Sequence, residues 1–365
     1  MKYTIPTTNL PVQEIVEQVV AHFATETSLI VKAPPGAGKS TLLPLTFLNE
    51  PWLKGKKIIV LEPRRLAAKT IAKRLSHLLG EEAGETVGYR IRFETRVSDK
   101  TRIEVVTEGI LTRMLQSDNQ LTDVALVIFD EFHERSIHAD VALALCREAQ
   151  LTKRNDLRLL IMSATMDLPE LSAKLQAKII QSEGKQYPVA IHYMGATDMH
   201  LLPELTARVV IKASKANKGD ILVFLPGQAE IIGCKELLEG KLANTVIHTL
   251  YGQLPFAQQQ AALLPDVDGK RKVVLATSIA ETSLTIEGVT TVVDSGFGKR
   301  SKFDPESGLS RLETVAISVD AADQRAGRAG RLSPGTCYRM WSEAQHEQLQ
   351  RHHQPEIETT DLEQL

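Results

Sequence analysis

The apolar run Leu29 to Ala33 leads straight into Pro34-Pro35-Gly36-Ala37-Gly38-Lys39-Ser40-Thr41. Two closely spaced glycines let successive backbone N–H groups turn inward around an anion. The lysine can reach outer phosphate oxygens, and the hydroxyl can meet a magnesium ion. Such a turn demands a strand before it and a helix after it, with the positive helix end near Gly38 facing the anion. The usual pattern has a further glycine where this chain has Ala33. A plain glycine turn ahead of an ordinary helix is the competing reading.

The rest of the first half fits that start. Ile58 to Glu62, Ile103 to Thr107, Ala125 to Asp130 and Leu159 to Ser163 read as further buried strands. Ala68, Ile71, Ala72, Leu75, Leu78 and Leu79 recur at helical spacing between the first two of these. Strand and helix alternation predicts an α/β fold with a mostly parallel sheet flanked by helices, whose ligands sit beyond the carboxyl ends of the strands. A second alternating block starts near Val189, with strands expected at Ile221 to Leu225, Thr245 to Leu250, Val273 to Thr277 and Thr291 to Asp294. Ser182 to Pro188 reads as the linker, Lys212 to Asp220 as a basic surface loop, and Phe297 to Val315 as a projecting hairpin. The expected organisation is residues 1–184, 185–345, and a polar stretch 346–365 that reads as the start of a missing C-terminal region.

Composition narrows the class without choosing it. With 365 residues, 43% of them hydrophobic, the chain can bury cores for two domains. Lys and Arg number 43 against 45 Asp and Glu, a formal net charge of -2, which argues against a uniformly basic coat protein but permits a local basic groove. Cys146, Cys234 and Cys337 are isolated singles, suggesting a reducing compartment and neither a disulfide frame nor a zinc site. The start lacks a secretory apolar core and no 18-residue apolar run occurs, so the expectation is a cytoplasmic protein with no membrane association.

Two more segments carry chemistry. Asp130-Glu131 emerges at a strand end, where Asp130 suits a magnesium ion through its water shell and Glu131 suits orienting and deprotonating an attacking water. A solvated acidic turn is the bland alternative, outweighed by the pairing with Lys39. His133 and His138 flank a glutamate but stand five apart, and the zinc-protease motif needs four on one helix face. In Gln324-Arg325-Ala326-Gly327-Arg328-Ala329-Gly330-Arg331 the arginines recur every third residue. Arg328 and Arg331 are candidate fingers for a transferring phosphoryl group, and Gln324 for placing the water. A charged helical face is the alternative, disfavoured because each interior glycine costs about 1 kcal/mol relative to alanine.

Taken in order, Gly36 to Thr41, Glu62-Pro63-Arg64-Arg65, Thr107-Glu108-Gly109, Asp130 to His133, Ser163-Ala164-Thr165, Phe224 to Gly227, Ala280 to Ile286 and Gln324 to Arg331 resemble the DEAH-box helicases of superfamily 2. The resemblance runs from about residue 28 to 342. Phe132 in the acidic box, the missing first glycine and Leu10-Pro11-Val12 look most like the bacterial branch called HrpB. It implies two tandem RecA-like domains, the first ATP-binding and the second the helicase C-terminal domain. It also implies that Gly36, Ala37, Gly38, Lys39, Ser40 and Thr41 bind ATP or another NTP, with Ser40 and Asp130 on Mg2+. Glu131, Gln324, Arg328 and Arg331 would be catalytic, and His133, Ser163 and Thr165 coupling elements. Arg64, Arg65, Thr107 and Thr277 match positions that grip a single strand, and Ser283 one that senses the terminal phosphate. Arg74 suits one side of the base, but Leu263 stands where an aromatic would complete the sandwich, so base recognition should be loose.

The resemblance implies an NTP hydrolase, an ATP-dependent helicase or translocase acting on single-stranded nucleic acid, RNA by family, moving 3′ to 5′ as a monomer. Protein partners are not legible. The second reading is a nucleotide-switched clamp on RNA or protein that hydrolyses without processive unwinding. Relatives continue past a Pro-Glu-Ile segment where this chain stops soon after Pro355-Glu356-Ile357, so the expectation is retained nucleotide binding with processive unwinding weak or missing.

Overall fold

Continuous Val, Ile and Leu runs are the mark of strands covered on both faces, and in the first half of the chain they build one wide sheet. The structure, a computed structural model, describes residues 3–164, 168–184, 187–195, 198–281, 286–304, 309–352 and 355–358. The chain divides into two units, Met1–Lys185 with Pro355–Ile357, and Gln186–Gln354 with Glu358–Leu365.

In the first unit the strands are β1 (Ser28–Lys32), β2 (Lys57–Leu61), β3 (Val87–Ile91), β4 (Glu94–Arg96), β5 (Ile103–Val106), β6 (Val124–Phe129), β7 (Arg158–Ser163) and β8 (Lys178–Gln181). They lie in the order β4-β3-β5-β2-β6-β7-β1-β8. All pair in parallel except β3 with β4. The helices are α1 (Val16–Thr25), α2 (Lys39–Thr46), α3 (Arg65–Leu78), α4 (Glu108–Ser117), α5 (Ile137–Thr152) and α6 (Leu168–Leu175). On one face, Leu111 and Leu115 of α4 and Ala142, Leu143 and Cys146 of α5 join Ile59, Phe129 and Ile161 of the sheet in a single apolar core. On α3 the helical stripe expected from the sequence is buried at Ala68, Ile71, Ala72 and Leu75.

The second unit has β9 (Val189–Tyr193), β10 (Asp220–Phe224), β11 (Thr245–Leu250), β12 (Arg271–Ala276), β13 (Val289–Asp294) and β16 (Gly335–Arg339). Their order is β11-β12-β10-β13-β16-β9, parallel throughout. An antiparallel pair, β14 (Phe297–Asp304) and β15 (Leu309–Ala316), forms the expected hairpin. Helices α7 (Leu202–Ala216), α8 (Gln228–Leu238), α9 (Phe256–Leu263), α10 (Val319–Gly327) and α11 (Glu343–Glu347) complete it. The fold is therefore α/β, with two parallel-dominated sheets flanked by helices.

Several short elements were not anticipated. Strand β3 is interrupted by Gly88, where an added Cβ would fall 2.3 Å from the Arg96 carbonyl, so the glycine that hides the strand also lets β4 approach. Strand β8 offers only two apolar residues at a sheet edge. The expected loop Lys212 to Asp220 is corrected too: α7 continues to Ala216, because Ala207, Val209, Val210 and Ala213 keep a buried stripe running through it.

Glu108 opens α4 and accepts a hydrogen bond from Ser136, whose hydroxyl in turn accepts the Ala139 N–H at 3.1 Å and caps α5. Burial pushes the Glu108 carboxyl up to about 7, and the Glu134 and Glu356 charges push the same way. A carboxyl whose folded pKa is raised stabilises the fold fully below about 4.5, and this contribution is lost as pH rises through about 7. Glu108→Gln, which keeps the acceptor, should therefore raise the melting temperature at pH 8 and change it little at pH 5. Thermal melts of both proteins at the two pH values check this.

Candidate functional site

In the first unit the carboxyl ends of adjacent strands deliver the motif residues in a row. Registers pairing Leu61 with Val106 and with Phe129 set the ends of β5, β2 and β6 level, while Phe129 with Ile161 and Ile161 with Ile30 let β7 and β1 run two residues further. The row along the edge is Thr107, Glu62, Asp130, Ser163 and Ala33, an order unrelated to sequence.

After β1 the chain turns through Pro34–Gly38 into α2. Gly36 and Gly38 have φ of 83° and 92°, the left-handed region that glycine enters without a Cβ clash. Ala33 does not need that freedom. Its backbone has no positive φ, its N–H continues the sheet by bonding Ser163 O at 3.1 Å, and its side chain is buried. This is the physical reason the pattern's first glycine can be absent. The Lys39 ammonium, 4% exposed, donates to the carbonyls of Ala33 at 2.6 Å and Pro34 at 3.2 Å, arching back over the loop. Ser40 and Thr41 follow in the first turn of α2.

Opposite the lysine stands a buried acidic group. Asp130 N–H bonds Leu61 O at 3.0 Å, and Glu131 has φ 49°, ψ 34°, a left-handed conformation that costs a non-glycine residue about 1–2 kcal/mol. Phe132 explains its place in the acidic box by packing edge-on against Phe129, ring centroids 6.0 Å apart. Asp130 Oδ1 accepts the Glu131 N–H at 2.9 Å, whereas Oδ2 is buried without a hydrogen-bond partner. Burial, then the Glu131 charge, pushes the Asp130 carboxyl up to about 7, against the opposite pull of Lys39 and the Ser40 hydroxyl. His133 Nδ1 lies 3.5 Å from Glu131 Oε2. Ser163 is fully buried at the end of β7.

Glu62 was missed as a site residue. It is fully buried, one carboxylate oxygen accepts Arg64 N–H at 3.3 Å, and the other is buried without a hydrogen-bond partner. Burial first, then the charges of Asp130, Glu131 and Glu134, drive its pKa well above the usual range. Its position at the carboxyl end of an expected strand was the available signal. Of the residues expected to grip a strand, Arg64 pairs with Glu134 at 3.1 Å, Arg65 is exposed at the start of α3, and Thr107 precedes α4. Arg74 is exposed on α3. Thr165 lies outside the described residues.

In the second unit Thr277 follows β12, Leu263 is buried at the end of α9, and Ser283 lies outside the described residues. The arginine motif corrects an expectation: α10 runs through Gln324, Arg325 and Gly327 despite the glycine. Arg325 holds it there. That side chain, 2% exposed, donates to Asp294 Oδ1 at 2.8 Å, Phe297 O at 3.2 Å and Glu281 Oε2 at 3.3 Å, over the Phe224 ring at 4.9 Å. Burial disfavours its charge, yet Asp294 and Glu281 keep its pKa above the ordinary value. Arg328 Nε donates to Glu281 O at 2.9 Å, so Glu281 ties both arginines. Gln324 and Arg328 are buried, and Arg331 is partly exposed.

Two parallel-dominated sheets flanked by helices, one ending in a glycine cradle and an acidic pair, define a nucleotide-handling class of protein. The DEAD/DEAH box helicase model matches residues 13–173 and the helicase conserved C-terminal domain model residues 199–333. The chain belongs to the DEAD/DEAH box helicase family, with two RecA-like domains. It is 46% identical over 356 residues to the ATP-dependent RNA helicase HrpB of Escherichia coli, and 38% identical over 361 residues to the ATP-dependent RNA helicase HrpA of Borreliella burgdorferi. Each alignment covers 97% of this chain and 44% of the relative, so the chain spans under half their length. A crystal structure of Escherichia coli DEAH/RHA helicase HrpB matches with a TM-score of 0.92 at 45% identity, covering 97% of this chain and 45% of that one. A second, of the DExH-box NTPase HrpB, matches at 0.87, 44% identity, 98% and 45%.

Removing Arg325 strands the buried Asp294 carboxylate and takes a partner from the partly buried Glu281. Arg325→Met should destabilise the second unit by about 3–5 kcal/mol, read from urea unfolding of the whole chain.

Proposed function

We propose that this chain is the motor core of an ATP-dependent helicase or translocase, hydrolysing nucleoside triphosphate to move along single-stranded RNA. The observation that carries the reading is the pairing, within one sheet edge, of the Gly36–Thr41 cradle and Lys39 with Asp130 and Glu131. The names of the similar proteins, two ATP-dependent RNA helicases and an NTPase, support it.

The roles follow from the chemistry. Backbone N–H groups from Gly36 to Thr41 receive the phosphates, and Lys39 exchanges the carbonyls of Ala33 and Pro34 for phosphate oxygens. The donor set suits Mg2+: Asp130 Oδ2 is a buried carboxylate oxygen with no hydrogen-bond partner, and Ser40 offers its hydroxyl nearby. Bound there, Mg2+ would neutralise charge on the outer phosphates. Glu131, held in place by its turn, orients the attacking water and takes its proton, with Gln324 helping to place it. Arg328 and Arg331 stabilise charge on the transferring phosphoryl group. His133, Ser163 and Thr165 relay the phosphate state, Ser283 senses the terminal phosphate, and Arg64, Arg65, Thr107 and Thr277 hold the sugar-phosphate backbone. Contacts of that kind do not read sequence.

Steady-state NTPase assays with and without single-stranded RNA or DNA test this. Glu131→Gln should lower kcat by about 100-fold or more, and RNA should stimulate the unmutated chain. Turnover that survives Glu131→Gln would remove the site assignment. With Leu263 standing where the family pattern has an aromatic residue, ATP, GTP and CTP should show similar KM values, and a strong preference for ATP would show that another group reads the base.

A further inference from the structure

The Leu10-Pro11-Val12 segment was singled out by the sequence and given no role by the proposed mechanism. In the structure it lies on the outside of the phosphate loop. Tyr3 exchanges hydrogen bonds of 2.8 Å with the Asn49 side chain, beyond the far end of α2. At the near end, Val12 N–H donates to Ala37 O at 2.9 Å. The arm thus straps the loop and helix at both ends. A Cβ built on Gly38 would fall 2.7 Å from Leu10 Cδ1 and 3.0 Å from Leu10 Cβ, so Leu10 rests directly on the glycine that opens α2. Val12 itself is fully buried.

We infer that Leu10 and Val12 are positioning residues for triphosphate binding, acting through the Ala37–Gly38 peptide. In a planar trans peptide the carbonyl of one residue and the N–H of the next point to opposite sides. Because Val12 holds the Ala37 carbonyl toward the arm, the Gly38 N–H is aimed away from the arm, toward the hollow of the loop. Glycine permits the left-handed φ of 92° at position 38 but also permits the peptide to flip. Leu10 over Gly38 and the Val12 hydrogen bond remove that freedom before a phosphate arrives, so the amide needs no reorganisation on binding. The loop is braced from its other end as well. Gly184, with φ of 64°, places its missing Cβ 2.4 Å from Pro34 Cγ, and Ser182 Oγ donates to Glu14 Oε1 of the same arm at 2.7 Å.

The inference rests on the reading of Gly36–Thr41 as the phosphate site, and Lys39→Ala serves as the control for that reading. The experiment measures ADP affinity, ATP KM and kcat, and the melting temperature without nucleotide for Leu10→Ala, Leu10→Met and Gly184→Ala in the full chain. Leu10→Ala should weaken ADP binding and raise the KM for ATP by about tenfold, with kcat little changed. Its nucleotide-free melting temperature and its affinity for single-stranded RNA should stay near those of the unmutated chain. Leu10→Met, which can still cover Gly38, should restore the ADP affinity, and Gly184→Ala, which presses on Pro34, should lower it. If Lys39→Ala weakens ADP binding while Leu10→Ala and Gly184→Ala do not, the bracing role is wrong. A loss of ADP binding that merely follows a fall in melting temperature, or that Leu10→Met fails to restore, overturns it too. If Lys39→Ala also leaves ADP affinity unchanged, the phosphate-loop reading falls and takes the bracing role with it.

Discussion

The first unit is organised around charges removed from water at one edge of its sheet. Lys39, Glu62, Asp130 and Glu131 are each no more than 5% exposed. Groups of this kind cannot remain both buried and unpaired without cost. The sheet meets the problem by register: the adjacent carboxyl ends of β1, β2, β6 and β7 bring loop, lysine and carboxylates to one edge, where each charge has a counterpart or shifts its protonation. Glu62 and Asp130 shift upward for that reason, burial leading and neighbouring carboxylates adding to it. An assembly that repels itself in this way is poised to accept positive charge.

The second unit solves the same problem differently. Arg325 is neutralised in place by Asp294 and Glu281. Its guanidinium fixes the helix that carries Gln324 and Arg328 against the end of β13. One edge therefore holds an excess of carboxylates and the other a buried arginine paired with carboxylates. The difference fits their proposed roles, one receiving a metal and phosphates, the other presenting arginines from a rigid support.

Much of this was legible because the strands that build the edge are unbroken apolar runs. The five expected strands of the first unit fall within a residue or so of β1, β2, β5, β6 and β7. The elements missed were those whose stability is not local. Strand β8 is a short edge that pairs only with β1, and β3 depends on Gly88 for its neighbour. Arg325 was given no role beside Arg328 and Arg331, since nothing in a repeated Arg-Ala-Gly pattern says which arginine points inward. That is decided by Asp294, 31 residues away, and Glu281, 44 residues away. Glu62 was placed at a strand end without being recognised as part of the acidic group, because its neighbours come from β6, whose adjacency to β2 no local pattern reports.

Backbone conformation divides the loop residues into those that must be what they are and those that need not. Gly36 and Gly38 occupy left-handed φ, and Gly38 also has Leu10 where a side chain would start, so two independent constraints exclude any larger residue at 38. Ala33 meets neither constraint, which is why the motif tolerates a departure there and not at 38. Glu131 shows the opposite balance, since it accepts a left-handed backbone although its side chain makes that unfavourable. Strain of that kind persists only where the surroundings over-determine it. Here the Asp130 N–H bound to Leu61, the Glu134 N–H bound to the Glu131 carbonyl and the Phe132 ring seated against Phe129 leave the chain no other path. The carboxylate proposed to handle water is thus aimed by the turn it sits in, and a residue better suited to that turn, such as glycine or asparagine, would relieve the strain and lose the base.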